Sequence, residues 1–525
     1  MKRQILIAVL ITLIAIGFRI FLASKLTSED EGDGKFYSLI AQNLIDHHGY
    51  SGNEEEPYNP TLSRVPGYPL LLAGIYRVFG SDNKTALHTI QILIDTATTW
   101  LIGLLALAWA PLEWPAERRR TALISALTLG AICPFTAVYV STVMTEVTAM
   151  FLSTSSVLAA ALATRSPRPR RLWACAGILG GLAAMVRPDC GIFPAAAAAA
   201  FGLVSLVRAR RAKREGQRSE SRAVLVRGLV YPAILALCLA CVLAPWTIRN
   251  ARVFGVFQPL APPAANNPNE WVPTGYIAWL RTWVDREQYV IVFEDGLNAY
   301  PIEVDQAPEY AFDSPDERER VTELYGQYNH PPNPIPQEER ESGEDGDIGQ
   351  IESPNDDFTG EEFKGYQMTR EIDAAFGEIA RERIERHRFR YYVTTPVRRA
   401  FLMWFDTHTQ YYPFQGDLFP TSDLDFDKKQ HYWLPAFLFV LWIYTALGAV
   451  GGWILLRYKS ARIWLLMLTL LIVPRLAFLA WQEHPEVRYT VEFFPFVTAA
   501  GGLAIAGIQW RKLWRFNFRR RRART

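Results

Sequence analysis

The sequence predicts an all-α polytopic membrane protein of about ten transmembrane helices, with juxtamembrane helices and an extracytoplasmic loop domain. Three observations lead there. Apolar runs of roughly 17–25 residues, the length that crosses a bilayer, recur toward both ends of the chain. A polar stretch of about 175 residues separates them, far longer than a plain connection. Basic clusters alternate with acidic or Pro-rich loops, so the chain sorts its charges to two sides.

The first apolar run, residues 5–23, reads as a retained anchor rather than a cleaved signal. It is long, it carries Arg19, and no small-residue cleavage site cleanly precedes the acidic stretch that follows. Arg19 fits a snorkelling side chain. In that acidic stretch Glu29, Asp30, Glu31 and Asp33 crowd together, and a short helix follows over residues 34–45 with Phe36, Ile40 and Leu44 on one apolar face. Asp33 also fits as the N-cap of that helix. Further runs lie at 87–108, 123–140, 149–163, 172–185, 192–207 and 229–246, then at 434–456, 463–480 and 490–508.

Basic clusters at 118–120, 165–171, 208–227, 457–462 and 511–524 all fall on one side when about ten spans are threaded, which assigns that side and both termini to the cytoplasm. The chain then divides into an N-terminal transmembrane module with its first external loop (1–257), an extracytoplasmic loop region (258–432), C-terminal transmembrane helices (433–510) and a basic tail (511–525). Within the loop region, residues 313–358 are acidic and rich in Pro and Gly, which predicts a mobile, weakly ordered insert. Residues 397–405 predict a helix lying on the membrane, with Val397, Phe401, Trp404 and Phe405 on one face and Arg398 and Arg399 opposite.

The formal net charge of +2 argues against bulk nucleic-acid affinity. The 5 Cys lie in or beside spans, and Cys238 and Cys241 read as packing residues within an apolar helix. His47 and His48 match no metal-ligand spacing, and the chain has no GxSxG, HExxH or P-loop motif. No cofactor or metal is expected.

Charged residues at membrane edges are costly and tend to be functional. The threading gathers Asp33, Arg64 (in SRVPGYPLLLAGIY), Glu146 (STVMTEVTAMF), Arg187 and Asp189 (MVRPDCG), Arg249 and Asn250 (APWTIRNARVFG), and Glu483, His484, Glu486, Arg488 and Tyr489 (WQEHPEVRYTVEFFP) on the external face. Arg suits phosphate through its planar fork, and a carboxylate suits a general base. Blander roles exist for each: Arg187 stops a helix before Pro188, Glu146 pairs with an Arg, and Arg249 snorkels.

The phrases GDGKFYSLIAQNLIDHHGYS, RVPGYPLLLAGIYRVFG, the Thr145–Glu146 dipeptide, GGLAAMVRPD, APWTIRNARVFG and EVRYTVEFFPF, in that order, resemble the GT-C membrane glycosyltransferases. The likeness is to the bacterial protein-mannosyltransferase and aminoarabinose-transferase-like group (glycosyltransferase family 39-like). The resemblance implies a GT-C architecture, a polyprenyl-phosphate-linked sugar as donor, inversion at the anomeric carbon, and a glycan, lipid or protein acceptor outside a bacterial inner membrane. It places the family's catalytic Asp on Asp33, ahead of Tyr37, with Asp30 as the alternative. Arg64, Glu146, Arg187, Asp189, Arg249, Asn250, His484, Arg488 and Tyr489 are then candidates for binding donor phosphate or acceptor. The rival readings are a lipid or glycan transporter or flippase, which would show repeat symmetry or broken helices at the midplane, and a non-catalytic receptor or assembly factor. Turnover of a lipid-linked sugar separates the three.

Overall fold

The computed structural model describes residues 2–25, 32–268, 270–331, 366–405 and 428–508, and among them every regular element is helical. The helices bounding the membrane portion are α1 (Lys2–Lys25), α2 (Asp33–Ile45), α3 (Gly67–Phe79), α4 (Lys84–Trp109), α5 (Ala116–Ala131), α6 (Glu146–Ala163), α7 (Pro169–Val186), α8 (Ile192–Arg214) and α9 (Arg218–Phe254). After α10 (Thr274–Trp283), α11 (Pro315–Asn329), α12 (Arg370–Arg386) and α13 (Thr395–Phe405), the chain closes with α14 (Lys428–Arg457), α15 (Arg462–Trp481) and α16 (Phe494–Gly507).

Eight helices are long and apolar enough to cross a membrane, and a ninth span results if α5 and the bent turn Pro134–Ser141 count as one. The bend of 49° follows Cys133, where Pro134 opens a new helical turn. The tenth expected run lies in α7, whose 18 residues reach about 27 Å. Its Pro-Arg-Arg start leaves it short of an apolar span, and its partners are helices: α6 on one side and α9 on the other. The chain is thus a multi-pass integral membrane protein.

Enclosure varies steeply across the bundle. The span ending in α16 is 89% buried and α6 is 78% buried, whereas α1 and α9 are 17% and 11% buried. Small residues let the inner helices approach. A Cβ on Gly177 would strike the Leu235 carbonyl, and one on Gly181 would strike Val242, so the GxxxG face of α7 is pressed against α9. Arg19 does not snorkel. It is fully buried, donates to Asp95 of α4 at 2.6 Å and to the carbonyls of Ala131 (3.1 Å) and Gly130 (3.2 Å), so α1, α4 and the end of α5 share one guanidinium.

The basic clusters meet at one end of the bundle. Arg118 donates to the Ala506 and Gly507 carbonyls at 2.9 and 2.7 Å, Arg165 lies 5.7 Å over the Trp464 ring, and Arg227 shares a cleft with Arg168–Arg171. The expected tail cluster at 511–524 lies outside the described residues.

Beyond the opposite end, α10, α11 and α12 surround an aromatic core of Tyr276, Trp279, Trp283, Phe293, Tyr325 and Phe376. Part of the stretch expected to be weakly ordered is therefore a packed helix. Val321, Leu324, Tyr325 and Tyr328 of α11 are buried, Ser314 caps it from its side chain at 3.2 Å, and Glu317 pairs with Arg383 of α12. The remainder of that stretch, from residue 332, lies outside the described residues. In α13, Val397 and Phe401 are exposed as expected of a membrane-lying face, but Trp404, assigned to the same face, is buried and stacked 5.6 Å from Phe493. Arg399 is instead buried, donating to the Val284 carbonyl (2.5 Å) and the Arg281 carbonyl (2.8 Å), and it ties α13 to the end of α10.

Candidate active site

Gly32 precedes α2 with φ of 50°, a left-handed turn that Gly adopts without a Cβ clash. Asp33 is consequently the first residue of α2, and its side chain makes no cap hydrogen bond. The carboxylate points elsewhere: Arg64 Nη2 donates to Oδ1 at 2.7 Å and Arg488 Nη2 to Oδ2 at 3.3 Å. The buried face of α2 is carried by Gly34, Tyr37, Ile40 and Ala41 rather than by Phe36 and Leu44, and Tyr37 sits edge-on to Tyr68 at 5.3 Å. Burial pushes the Asp33 carboxyl up, but the guanidinium groups of Arg64, Arg488 and Arg187 outweigh it and hold the group below the usual carboxylate range.

Behind Asp33 lies a denser layer. Arg187, at the C-terminal end of α7, reaches Glu146 at 2.8 Å, Asp189 at 3.2 Å and Glu492 at 3.2 Å. Arg475 of α15 holds the same Asp189 at 2.5 Å and Glu492 at 3.2 Å. Two cations and three carboxylates thus interlock four chain segments, with Glu146, Arg475 and Glu492 fully enclosed.

A third group radiates from Glu486. Its carboxylate accepts from Tyr489 (2.6 Å) and Arg488 (2.9 Å), and His484 Nε2 lies 2.6 Å away. Arg187 and Arg488 lie 4.6 and 5.2 Å from the centre of the Tyr489 ring, linking the second layer to the third. Burial opposes a charge on His484, yet Tyr489, Glu294 and Glu486 outweigh it and raise the imidazole well above its usual value, so it is a cation here. Facing this group from the segment after α10 is Glu287, whose carboxylate oxygens are both buried without a hydrogen-bond partner. Burial first, then the charge of Glu486, push it up to about 8.

Asp33, Tyr37, Arg64, Glu146, Arg187, Asp189, His484, Arg488 and Tyr489 therefore converge as expected. Arg249 and Asn250 stand apart. Arg249 donates to the Thr61 carbonyl at 2.7 Å and packs 4.9 Å from the centre of the Trp246 ring, while Asn250 donates to the Gln258 carbonyl at 2.8 Å. Arg249 buttresses the segment that carries Arg64, and among the described residues no carboxylate pairs with Arg249. Asp30 lies outside the described residues. Sequence reasoning passed over Arg475, Glu492 and Glu287. An Arg inside the apolar run around Pro474 was the available signal for the first, whereas Glu287 lies in an ordinary polar stretch. Among the described residues no group of His, Cys, Asp and Glu is arranged to hold a metal ion.

No family model and no curated protein matches the chain. Among solved structures, it is similar to the archaeal oligosaccharyltransferase AglB from Archaeoglobus fulgidus in complex with an inhibitory peptide and a dolichol-phosphate. The identity is 12%, with 97% of this chain and 51% of that chain covered and a TM-score of 0.48. The Archaeoglobus fulgidus oligosaccharyltransferase tethered with an acceptor peptide matches at 13% identity, covering 95% and 49%, with a TM-score of 0.45. ArnT from Cupriavidus metallidurans bound to undecaprenyl phosphate matches at 11% identity, covering 95% and 77%, with a TM-score of 0.33. The chain spans about half the length of the archaeal oligosaccharyltransferases it matches.

Proposed function

We propose that this protein is an inverting glycosyltransferase that moves a monosaccharide from a polyprenyl-phosphate donor to a hydroxyl acceptor on the extracytoplasmic face of a bacterial inner membrane. The observation that carries the reading is the partly exposed Asp33 carboxylate held by Arg64 and Arg488 at the membrane edge. The ordered motifs support it. Both chain ends then face the cytoplasm, and the acceptor is a glycan, lipid or protein.

In the reaction the acceptor oxygen attacks the anomeric carbon, the bond from that carbon to the phosphate oxygen breaks, and the electron pair leaves with the phosphate. The acceptor proton passes to Asp33. A carboxylate bound by two guanidinium groups is a weak base, so the donor has a second task. Its phosphate competes for Arg64 and Arg488, and as they turn to it the Asp33 carboxylate regains basicity while the leaving charge gains its counter-ions. The interlocked Arg187, Arg475, Asp189 and Glu492 fix the floor on which this exchange takes place. The lipid tail remains in the bilayer, which explains a site at the rim of a helix bundle.

The test is turnover by purified protein supplied with a polyprenyl-phosphate sugar. Asp33→Asn keeps shape and removes the base, and it is expected to lower turnover by about two to four orders of magnitude while the protein remains folded and inserted. Normal turnover by this variant, or direct use of a nucleotide sugar by the wild type, would overturn the reading.

A further inference from the structure

We propose that the cleft between the start of α7 and the lower part of α9, at the end of the bundle away from Asp33, binds the phosphate headgroup of an anionic phospholipid. The cleft has a volume of about 540 Å³ and is lined by Ser166, Arg168, Arg170, Arg171, Arg227 and Tyr231, among others. α7 separates it from Arg187 by about 27 Å, so the site is independent of the transferase reading.

Charge is the first argument. At the Asp33 end, the Arg side chains of the interlocked layers are matched by carboxylates. Here four guanidinium groups line one cleft, and among the described residues none of them pairs with a carboxylate. The linker before α7 is Thr164-Arg165-Ser166-Pro167-Arg168, with no acid to neutralise it. Arg165, in the linker that leads into the cleft, has the Arg119 guanidinium rather than an acid as its charged neighbour. All four are exposed side chains whose guanidinium groups are open to an anion, and phosphate matches their fork geometry.

Height is the second argument, and it selects a lipid. Arg227 precedes the apolar part of α9 by one residue, and Val226 and Leu229 beside it are 50% and 64% exposed, as side chains in hydrocarbon would be. Tyr231 closes the cleft, stacked 6.4 Å from Trp173 and 5.9 Å from Phe201, an aromatic anchor where headgroups lie. A headgroup in the cleft therefore has an apolar wall for its chains, which a free phosphate does not need. Basic clefts between spans on the positive side of a membrane protein are the expected seats of anionic headgroups.

The experiment uses the full chain, delipidated in neutral detergent, titrated separately with short-chain phosphatidylglycerol, short-chain phosphatidylcholine and inorganic phosphate while the thermal midpoint is followed. Phosphatidylglycerol alone is expected to raise it. The variant with Arg170→Gln, Arg171→Gln and Arg227→Gln is expected to bind roughly a hundredfold more weakly, given what each basic residue contributes near an anionic surface. Arg210→Gln with Arg214→Gln, exposed basic positions outside the cleft, should leave binding unchanged. Equal response to phosphatidylcholine, a full response to inorganic phosphate, or an undiminished response in the triple variant would overturn the proposal. Should the triple variant fail to fold, Arg227→Gln alone is read by native mass spectrometry, where retained phosphatidylglycerol at the wild-type level counts against the site.

Discussion

Asp33 and Glu287 both feel the charge of Arg488, yet they are displaced in opposite directions. For Asp33 the folded value is depressed. Its stabilising contribution is present above the ordinary carboxylate range and is lost as pH falls through the depressed value, which places acid loss of the site below about pH 4. For Glu287 the folded value rises from 4.5 to about 8. The native state then holds a proton that the unfolded chain releases, so stability falls as pH climbs between those two values. Glu287→Gln is an uncharged near-isostere of the protonated form. Its thermal midpoint is expected to change less than that of the wild type between about pH 5 and about pH 9, and to exceed it at the alkaline end. Parallel curves for the two proteins would mean that Glu287 is charged in the folded state. Neither residue's environment was legible in the sequence. Asp33 also suited a cap, and only a guanidinium 455 positions later separates the two roles.

Helices were legible where the signal is local, and their faces less so. Hydropathy marks α4, α6, α8 and α14–α16 because burial in lipid needs a continuous apolar run. It also marks α7, where the run at 172–185 lies inside Pro169–Val186, whereas the face expected for α2 is shifted, because Tyr37 and Ala41 pack inward while Phe36 lies 5.6 Å from the Arg64 guanidinium. Tertiary pairing also overrides the single-residue reading of Arg19. Asp95→Ala leaves that cation enclosed without a counter-charge and is expected to cost about 3–5 kcal/mol, whereas Arg19→Leu with Asp95→Leu is expected to recover most of it. Thermal unfolding in detergent measures both, and a double variant as unstable as Asp95→Ala would show that the hydrogen bonds to Ala131 and Gly130 matter more than the charge. At the α7–α9 contact, Gly181→Val is expected to cost about 1–3 kcal/mol by overpacking, with loss of turnover because α7 sets the height of Arg187. An unchanged thermal midpoint would remove α9 as the support of α7.

On the scale of the whole molecule, the sidedness of charge was the most legible feature, since it needs only the order of clusters along the chain. The basic clusters within the described residues do gather at one end, and the acidic and Arg-rich motifs at the other. In a background with the five native Cys replaced, a Cys in place of Glu303 is expected to react with an impermeant thiol reagent applied outside, and one in place of Arg214 only after permeabilisation. The reverse pattern would invert the topology and with it the location of the acceptor. What the sequence could not supply is which distant segments touch, and the site is made of such contacts.

The pairing of Asp33 with Arg488 sets a condition on biogenesis. A chain is synthesised from its amino-terminal end, so Asp33 is made long before the segment that carries Arg488 and Glu492. Until that last segment is seated, Asp33 lacks one of its two cations, and Arg187 and Arg475 lack Glu492. A chain stalled or cleaved at any earlier point carries the first acidic motif yet has no closed ion network around it. The ion network around Asp33 and Arg187 thus closes only once the segment carrying Arg488 and Glu492 is seated.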